Sequence, residues 1–309
     1  MKFEHKPVLL NEVIAGLEIK PGGVYVDCTV GGGGHSFEIA KRMANGHLYA
    51  FDRDQEAIVA SKERLKEFDN VTFIHDNYKN AKEDLDNLGV AGVDGVLIDL
   101  GVSSPQLDHG ERGFSFLHEG RLDMRMDRRQ KLSAYEVVNN YPREKLVEIL
   151  YKYGEESNAK NIVQKIMEAR EKSPIETTME LKNIVESAFP KKVIYGKGGV
   201  SKQTFQAIRI EVNGELDGLE QALSDLAGKL SSGGRMAVIS FHSLEDRIVK
   251  NLFKNLSTDC ICPPKTPVCI CGHKASVKLI NKKPITASKE ELEFNPRSSS
   301  AKLRIIEKL

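Results

Sequence analysis

The feature that most constrains this chain is a set of short apolar runs that each stop on an aspartate. Val24-Tyr25-Val26 ends at Asp27, Leu48-Tyr49-Ala50-Phe51 at Asp52, and Val96-Leu97-Ile98 at Asp99. Another run, Val71-Thr72-Phe73-Ile74, leads into His75-Asp76-Asn77-Tyr78, and the stretch Gln55 to Phe68 between runs reads as a helix. Near-continuous apolar strands alternating with helices predict an α/β fold, with a parallel sheet covered on both faces. The next such run, Met236-Ala237-Val238-Ile239, follows Gly233-Gly234 more than 130 residues after Ile98. A crossover needs only about 10–12 residues, so a segment has been inserted between the fourth and fifth strands.

The inserted segment reads as helical. Ser133 to Glu136 and Thr177 to Glu180 fit the capping-box pattern, and apolar residues at helical spacing follow, among them Leu146, Ile149, Leu150, Ile162, Val163, Ile166, Leu181, Ile184 and Val185. The expected division is 1–109, an all-helical insert at 110–205, and 206–309 with a cysteine-rich loop at 260–271. Asn213 to Leu230 is expected to be the helix leading back to the sheet.

Composition narrows the function. Hydrophobic residues make up 40% and charged residues 29% of 309, ordinary for a globular chain and unlike a disordered one, a collagen or a coiled coil. No run approaches 18 apolar residues, and the start, Met1 to Lys6, lacks a signal peptide's apolar stretch, so the expected location is the cytoplasm. The net charge is +1, so any contact with nucleic acid must come from a local patch. Of five cysteines, Cys28 stands alone and Cys260, Cys262, Cys269 and Cys271 cluster.

The strongest local signal is Asp27-Cys-Thr-Val-Gly31-Gly32-Gly33-Gly34-His35, four glycines between a strand and a helix. Glycine allows a sharp turn and close approach of a ligand to the main chain. Asp52 ends the next strand, 21 positions after Gly31, where a carboxylate can accept hydrogen bonds from ribose hydroxyls. The dinucleotide fingerprint fails in both frames, at Ser36 and at Phe37, and no Gly-Lys-Ser/Thr follows the glycines. An S-adenosylmethionine (SAM) site fits better; a purely structural glycine turn is the other reading. Asp76, Asn77 and Tyr78 could face an adenine or form a plain turn. Asp99, at the carboxyl edge of the sheet, leads into Leu100-Gly-Val-Ser103-Ser104-Pro105-Gln106.

Five blocks together resemble one family. They are Asp27 to His35, Asp99 to Gln106, Glu111-Arg-Gly-Phe-Ser-Phe116, Leu122-Asp-Met-Arg-Met-Asp127 and Ser240-Phe-His-Ser-Leu-Glu-Asp-Arg247. The chain is similar to the RsmH (MraW) family, SAM-dependent methyltransferases acting on a cytosine N4 in small-subunit ribosomal RNA. The similarity runs from His5 to Arg304. It implies a Rossmann-like class I SAM-dependent methyltransferase domain with an inserted small all-helical domain for substrate recognition. It implies methyl transfer to the exocyclic N4 of a decoding-site cytidine, with 16S rRNA in the small ribosomal subunit as partner. By matching position, the SAM contacts would be Gly33, Gly34, His35, Asp52, Tyr78, Asp99 and Gln106; many members carry Phe in place of Tyr78. A SAM-binding assembly factor without catalysis, or an amino-methyltransferase acting on another nucleic acid, is the alternative.

Amino-methyltransferases usually carry Asn/Asp/Ser-Pro-Pro-Tyr/Phe at this strand end, which Ser103 to Gln106 matches in part. Asp99, Ser103 and Ser104 are the candidates for gripping the amino group. His242 could take a proton or be structural. Candidate RNA contacts are Arg125 and Arg128 in a basic stretch at 121–131, and Lys191, Lys192, Lys197 and Lys202 in a glycine-containing stretch at 191–209 that holds no acid. From Lys274 onward, nine basic residues stand against four acidic ones, the pattern of a solvated or RNA-facing stretch. Cys260, Cys262, Cys269 and Cys271, with Pro263, Pro264 and Pro267 between the pairs, could hold a structural zinc ion or be reduced or redox-sensitive thiols.

Overall fold

The apolar runs become neighbouring strands of one sheet: β1 (Val24–Asp27), β2 (His47–Phe51), β3 (Val71–Ile74), β4 (Val93–Asp99), β5 (Leu230–Ser240), β6 (Val277–Leu279) and β7 (Lys302–Lys308). The strand order is β3-β2-β1-β4-β5-β7-β6. β1 to β5 pair in parallel, in registers such as Val26↔Tyr49 and Ile98↔Val238. The reversal of order at β1 and β4 is that of a Rossmann-like α/β fold, whose ligands sit beyond the carboxyl ends of the strands. The computed structural model describes residues 7–194, 199–263 and 268–309. Lys197, Pro264 and Pro267, named above, lie outside the described residues. Among the described residues, no helix is long and apolar enough to cross a membrane.

The chain divides into two units, Met1–Gly101 with Gly218–Leu309, and Val102–Asp217. In the first, Leu48, Ala50, Leu97, Ala237 and Ile239 from the strands meet Leu9, Val13, Ile39 and Met43 from the helices Leu10–Leu17 and Gly34–Met43 and the segment before them, in one buried cluster. The sheet departs from the all-parallel expectation at its C-terminal end, where β7 runs antiparallel to β5 and β6 antiparallel to β7. The basic count in that stretch conceals a strand. Leu303, Ile305 and Ile306 are buried, and the charges between them are paired, Arg304 Nε with Asp246 Oδ1 at 2.7 Å and Arg235 Nε with Glu307 Oε2 at 2.9 Å.

The second unit contains the helices Ala134–Asn140, Arg143–Gly154, Ala159–Arg170, Thr178–Ser187, Lys191–Ile194 and Lys202–Asn213. Helix Arg143–Gly154 packs against both Ala159–Arg170 and Lys202–Asn213. Leu146, Ile149, Leu150, Ile162, Val163, Ile166, Leu181 and Val185 are buried at the spacing the sequence showed. Both expected capping boxes form, Ser133 with Glu136 and Thr177 with Glu180. The unit spans Val102–Asp217 where helical patterning suggested 110–205. Helix Lys202–Asn213 buries Phe205 and Ile208, and Asn213 fixes Met124 and Met126 through bonds of 2.7 and 2.9 Å.

Two helix expectations are corrected. Asn213 to Leu230 is not one helix. Gly214 and Gly218 adopt positive φ of +52° and +69° and divide it, so the helix returning to the sheet is Leu219–Lys229. The helix expected to reach Phe68 covers Gln55–Arg64, after which Asn70 turns the chain by donating to the carbonyls of Ala44 and Gly46 at 2.9 and 2.8 Å.

Candidate active site

The carboxyl ends of β1, β2 and β4 place Asp27, Asp52 and Asp99 around the glycine turn. Asp27 is 1% exposed; its Oδ2 accepts from Ser36 Oγ at 2.6 Å and its Oδ1 from the Thr29 N–H at 3.1 Å. Burial pushes its pKa up to about 6 against the pull of those two bonds, and the nearby charge of Asp52 adds to the rise. Asp52 accepts from the N–H groups of Gly31 at 2.9 Å and Asp54 at 2.8 Å, and desolvation likewise raises it to about 6. Asp99 is raised well above the usual carboxylate range, first by desolvation and then by Asp27 and Glu245. Three desolvated acids that repel one another cost folding stability, the arrangement expected where protons or polar ligands are handled.

The four glycines do different work. Gly33 has φ +74°, and a Cβ there would stand 3.3 Å from Ser61 Cα. A Cβ at Gly34 would collide with Pro7 Cγ. Those two serve the turn and its packing. Beside Gly32 a Cβ would meet nothing within 4 Å, and beside Gly31 only the Thr29 carbonyl at 3.9 Å. The main chain is therefore open beside Gly31 and Gly32, while Gly33 and Gly34, the glycines marked by resemblance, are packed on the side a Cβ would occupy.

His35 is 7% exposed and donates through Nε2 to the Val8 carbonyl at 2.9 Å, which leaves Nδ1 4.0 Å from Asp99 Oδ2. Asp99 Oδ1 is buried and has no hydrogen-bond partner. A buried carboxyl oxygen without a hydrogen-bond partner is costly unless a ligand supplies one. Tyr78, 8% exposed, begins a 3₁₀ turn just beyond β3, on the same edge of the sheet. The sequence reading left out Thr29, whose Oγ1 accepts the Asp99 N–H at 2.7 Å and so ties the glycine turn to the end of β4.

His242 has a structural role. Its Nδ1 accepts the Glu245 N–H at 3.4 Å and its own N–H donates to Glu245 Oε2 at 3.3 Å, a capping box that opens helix Ser243–Leu256; the same oxygen also accepts the Phe241 N–H at 2.9 Å.

Ser103, Ser104 and Gln106 open the second unit. Gln106 Oε1 accepts the Ser103 N–H at 3.0 Å and Ser103 Oγ accepts the Gln106 N–H at 3.4 Å, so both cap the short helix Ser104–Asp108. Of the candidate RNA residues in the same unit, Arg125 is held bidentate by Asp123 at 2.7 and 2.8 Å and also bonds the Gln130 carbonyl at 3.0 Å. That pairing suits a structural clamp better than a phosphate contact. Arg128, Lys191, Lys192 and Lys202 are exposed. Arg209, in the stretch without acids, finds its acid at Glu215, with two contacts of 2.9 Å.

Comparison with known proteins places the chain in a family. Curated relatives from Finegoldia magna, 54% identical, and Clostridioides difficile, 52% identical, align over 100% of this chain and 100% of their own length. A relative from Clostridium botulinum is 52% identical over the same shares. Each carries the name ribosomal RNA small subunit methyltransferase H. The family model described as the MraW methylase family matches residues 2–309, and at this extent of agreement the chain belongs to that family of methyltransferases.

Proposed function

We propose that the protein uses SAM to methylate the exocyclic N4 of a decoding-site cytidine in the 16S rRNA of the small ribosomal subunit. The observation that carries the reading is the partnerless, buried Oδ1 of Asp99, at a strand end tied to the glycine turn through Thr29 and with Asp27 close enough to raise its pKa. The relatives' name supports the RNA class, and the resemblance of the motif blocks supports the base and the atom.

The donor set suits the cofactor. Gly31 and Gly32 leave open space against the main chain, Asp52 offers carboxylate oxygens to ribose hydroxyls, and Tyr78, just beyond β3, is the ring assigned to adenine. Gly33, Gly34, His35 and, by matching position, Gln106 complete the assignment. Bound there, SAM supplies an electrophilic methyl group on a sulfonium.

The chain's own task is to hold the acceptor. A cytosine amino nitrogen has its lone pair delocalised into the ring, so it must be oriented closely, and orientation supplies much of the available rate advantage. Asp99 accepts a hydrogen bond from the amino group as positive charge develops there, with Ser103 and Ser104 as further polar partners. The base must also leave its stack to reach a recessed site.

Nucleoside mass spectrometry of small subunits lacking the modification, incubated with the protein and SAM, tests the reading. New N4-methylcytidine is the expected product. A methyl group on another base would keep the enzyme class and discard the target, whereas SAM binding without any product would favour an assembly factor. Asp99→Asn should cut turnover at least ~100-fold. Full activity and full SAM affinity in that variant would remove Asp99 from its role.

A further inference from the structure

The loop between helix Ser243–Leu256 and β6 lies apart from the carboxylates and takes no part in the chemistry above. Its four cysteines nevertheless converge. The Sγ atoms of Cys260, Cys262, Cys269 and Cys271 all lie within 4.8 Å of one another. Individual separations are 3.5 Å for Cys269 and Cys271, 3.8 Å for Cys260 and Cys271, and 4.0 Å for Cys262 and Cys269. Four sulfurs placed tetrahedrally at ~2.3 Å from a zinc ion are separated by about 3.8 Å along each edge. A disulfide needs about 2.05 Å, so no pair is bonded.

Apolar packing does not account for this convergence. Ile261, Val268 and Ile270 are 55%, 72% and 84% exposed, so the loop turns its largest apolar side chains outward. Its neck is pinned instead by polar contacts. The Ser276 N–H donates to the Leu256 carbonyl at 2.8 Å, and His273 Nε2 bonds the Asn255 carbonyl at 2.9 Å, which occupies the nearest histidine. Main-chain N–H groups point at the sulfurs, Ile270 to Cys262 at 3.4 Å and those of His273 and Ile261 to Cys271. Such donors stabilise metal-bound thiolates and fix their direction.

We propose that Cys260, Cys262, Cys269 and Cys271 hold one zinc ion in a closed tetrahedral site that stiffens this loop. Each thiol releases its proton to solvent on binding, and four protein ligands leave no open position, so the ion is structural.

Protein purified from medium without added metal should contain one zinc per chain by inductively coupled plasma mass spectrometry. Cobalt put in its place should give the intense visible bands of tetrahedral Co(II) together with thiolate charge transfer. The Cys260→Ser/Cys271→Ser variant should lose at least nine-tenths of the metal while its SAM affinity stays within twofold and its far-ultraviolet circular dichroism is retained. The variant isolates the metal from the active site, because neither cysteine belongs to it. Less than a tenth of an equivalent of zinc in the parent protein, even after incubation with zinc under reducing conditions, would overturn the proposal. So would a Cys260→Ser/Cys271→Ser variant that keeps its metal, or cobalt spectra of octahedral form.

Discussion

At the scale of single residues, the glycine turn makes a sharp contrast. Gly32→Ala places a methyl in open space without backbone strain, so the fold should be kept while the methyl intrudes on the cradle. The expected outcome is an unchanged Tm with SAM affinity at least ~10-fold weaker by calorimetry, about 1.4 kcal/mol. Gly33→Ala forces a positive φ on a side chain pressed against Ser61 and should destabilise the fold itself by about 1–2 kcal/mol. The carboxylates set the pH response. Asp52 titrates near pH 6, so SAM affinity should fall on acidification below that value, approaching tenfold per pH unit if ribose binding needs the ionised form. Stability runs the other way. Asp27 and Asp52 are raised from 3.8 to about 6, so the folded state binds protons more tightly than the unfolded chain. Their contribution is full below about pH 4 and is lost as pH rises through 6, for the buried Asp27 on the order of 3 kcal/mol. Relative to the parent protein, Asp27→Asn should therefore show a Tm that declines less between pH 4 and 7. These aspartates were legible because strand-ending acids stand out against apolar runs. Thr29 was not, because one hydroxyl in a turn carries no periodic signal.

Among the elements, the helical caps and cores of the second unit followed the sequence closely. Capping boxes are local, made within four residues, and heptad-like apolar spacing reports a buried face directly. Thr177→Ala removes the acceptor for the Glu180 N–H, bonded at 3.2 Å, and should cost about 1 kcal/mol in urea unfolding. Leu150→Ala, at a fully buried position, should cost about 2–5 kcal/mol. What failed at this scale was continuity. Gly214 and Gly218 lie in a stretch whose other residues favour helix, and only the left-handed backbone at both shows the break. The basic stretches failed for a different reason. The acids that neutralise Arg209 and Arg304 come from Glu215 and Asp246, and a count over a window omits a partner outside it.

Across the whole molecule, the parallel half of the sheet was readable and the antiparallel half was not. β1, β2 and β4 each carry a short apolar run of mostly buried residues, whereas β7 sets Arg304, Glu307 and lysines among its apolar residues and reads as surface. Charge at this scale supports one further expectation. Lys191, Lys192 and Lys202 are exposed in a chain of net charge +1, so they should contribute to RNA binding as a local patch. Replacing all three by Glu should weaken RNA binding at least ~10-fold and flatten its salt dependence, while SAM affinity stays unchanged.

The place of β7 has a consequence for how the protein is made. It is the last of the seven strands in chain order, yet it lies between β5 and β6 and bonds both. Until β7 is added, β5 is an open edge and β6 has no partner in the sheet. During synthesis, the hydrogen-bonded ladder of the nascent sheet therefore closes only once β7 is available. A chain truncated before β7 carries β5 as an exposed edge strand, a form that quality-control proteases and chaperones can distinguish from the folded sheet.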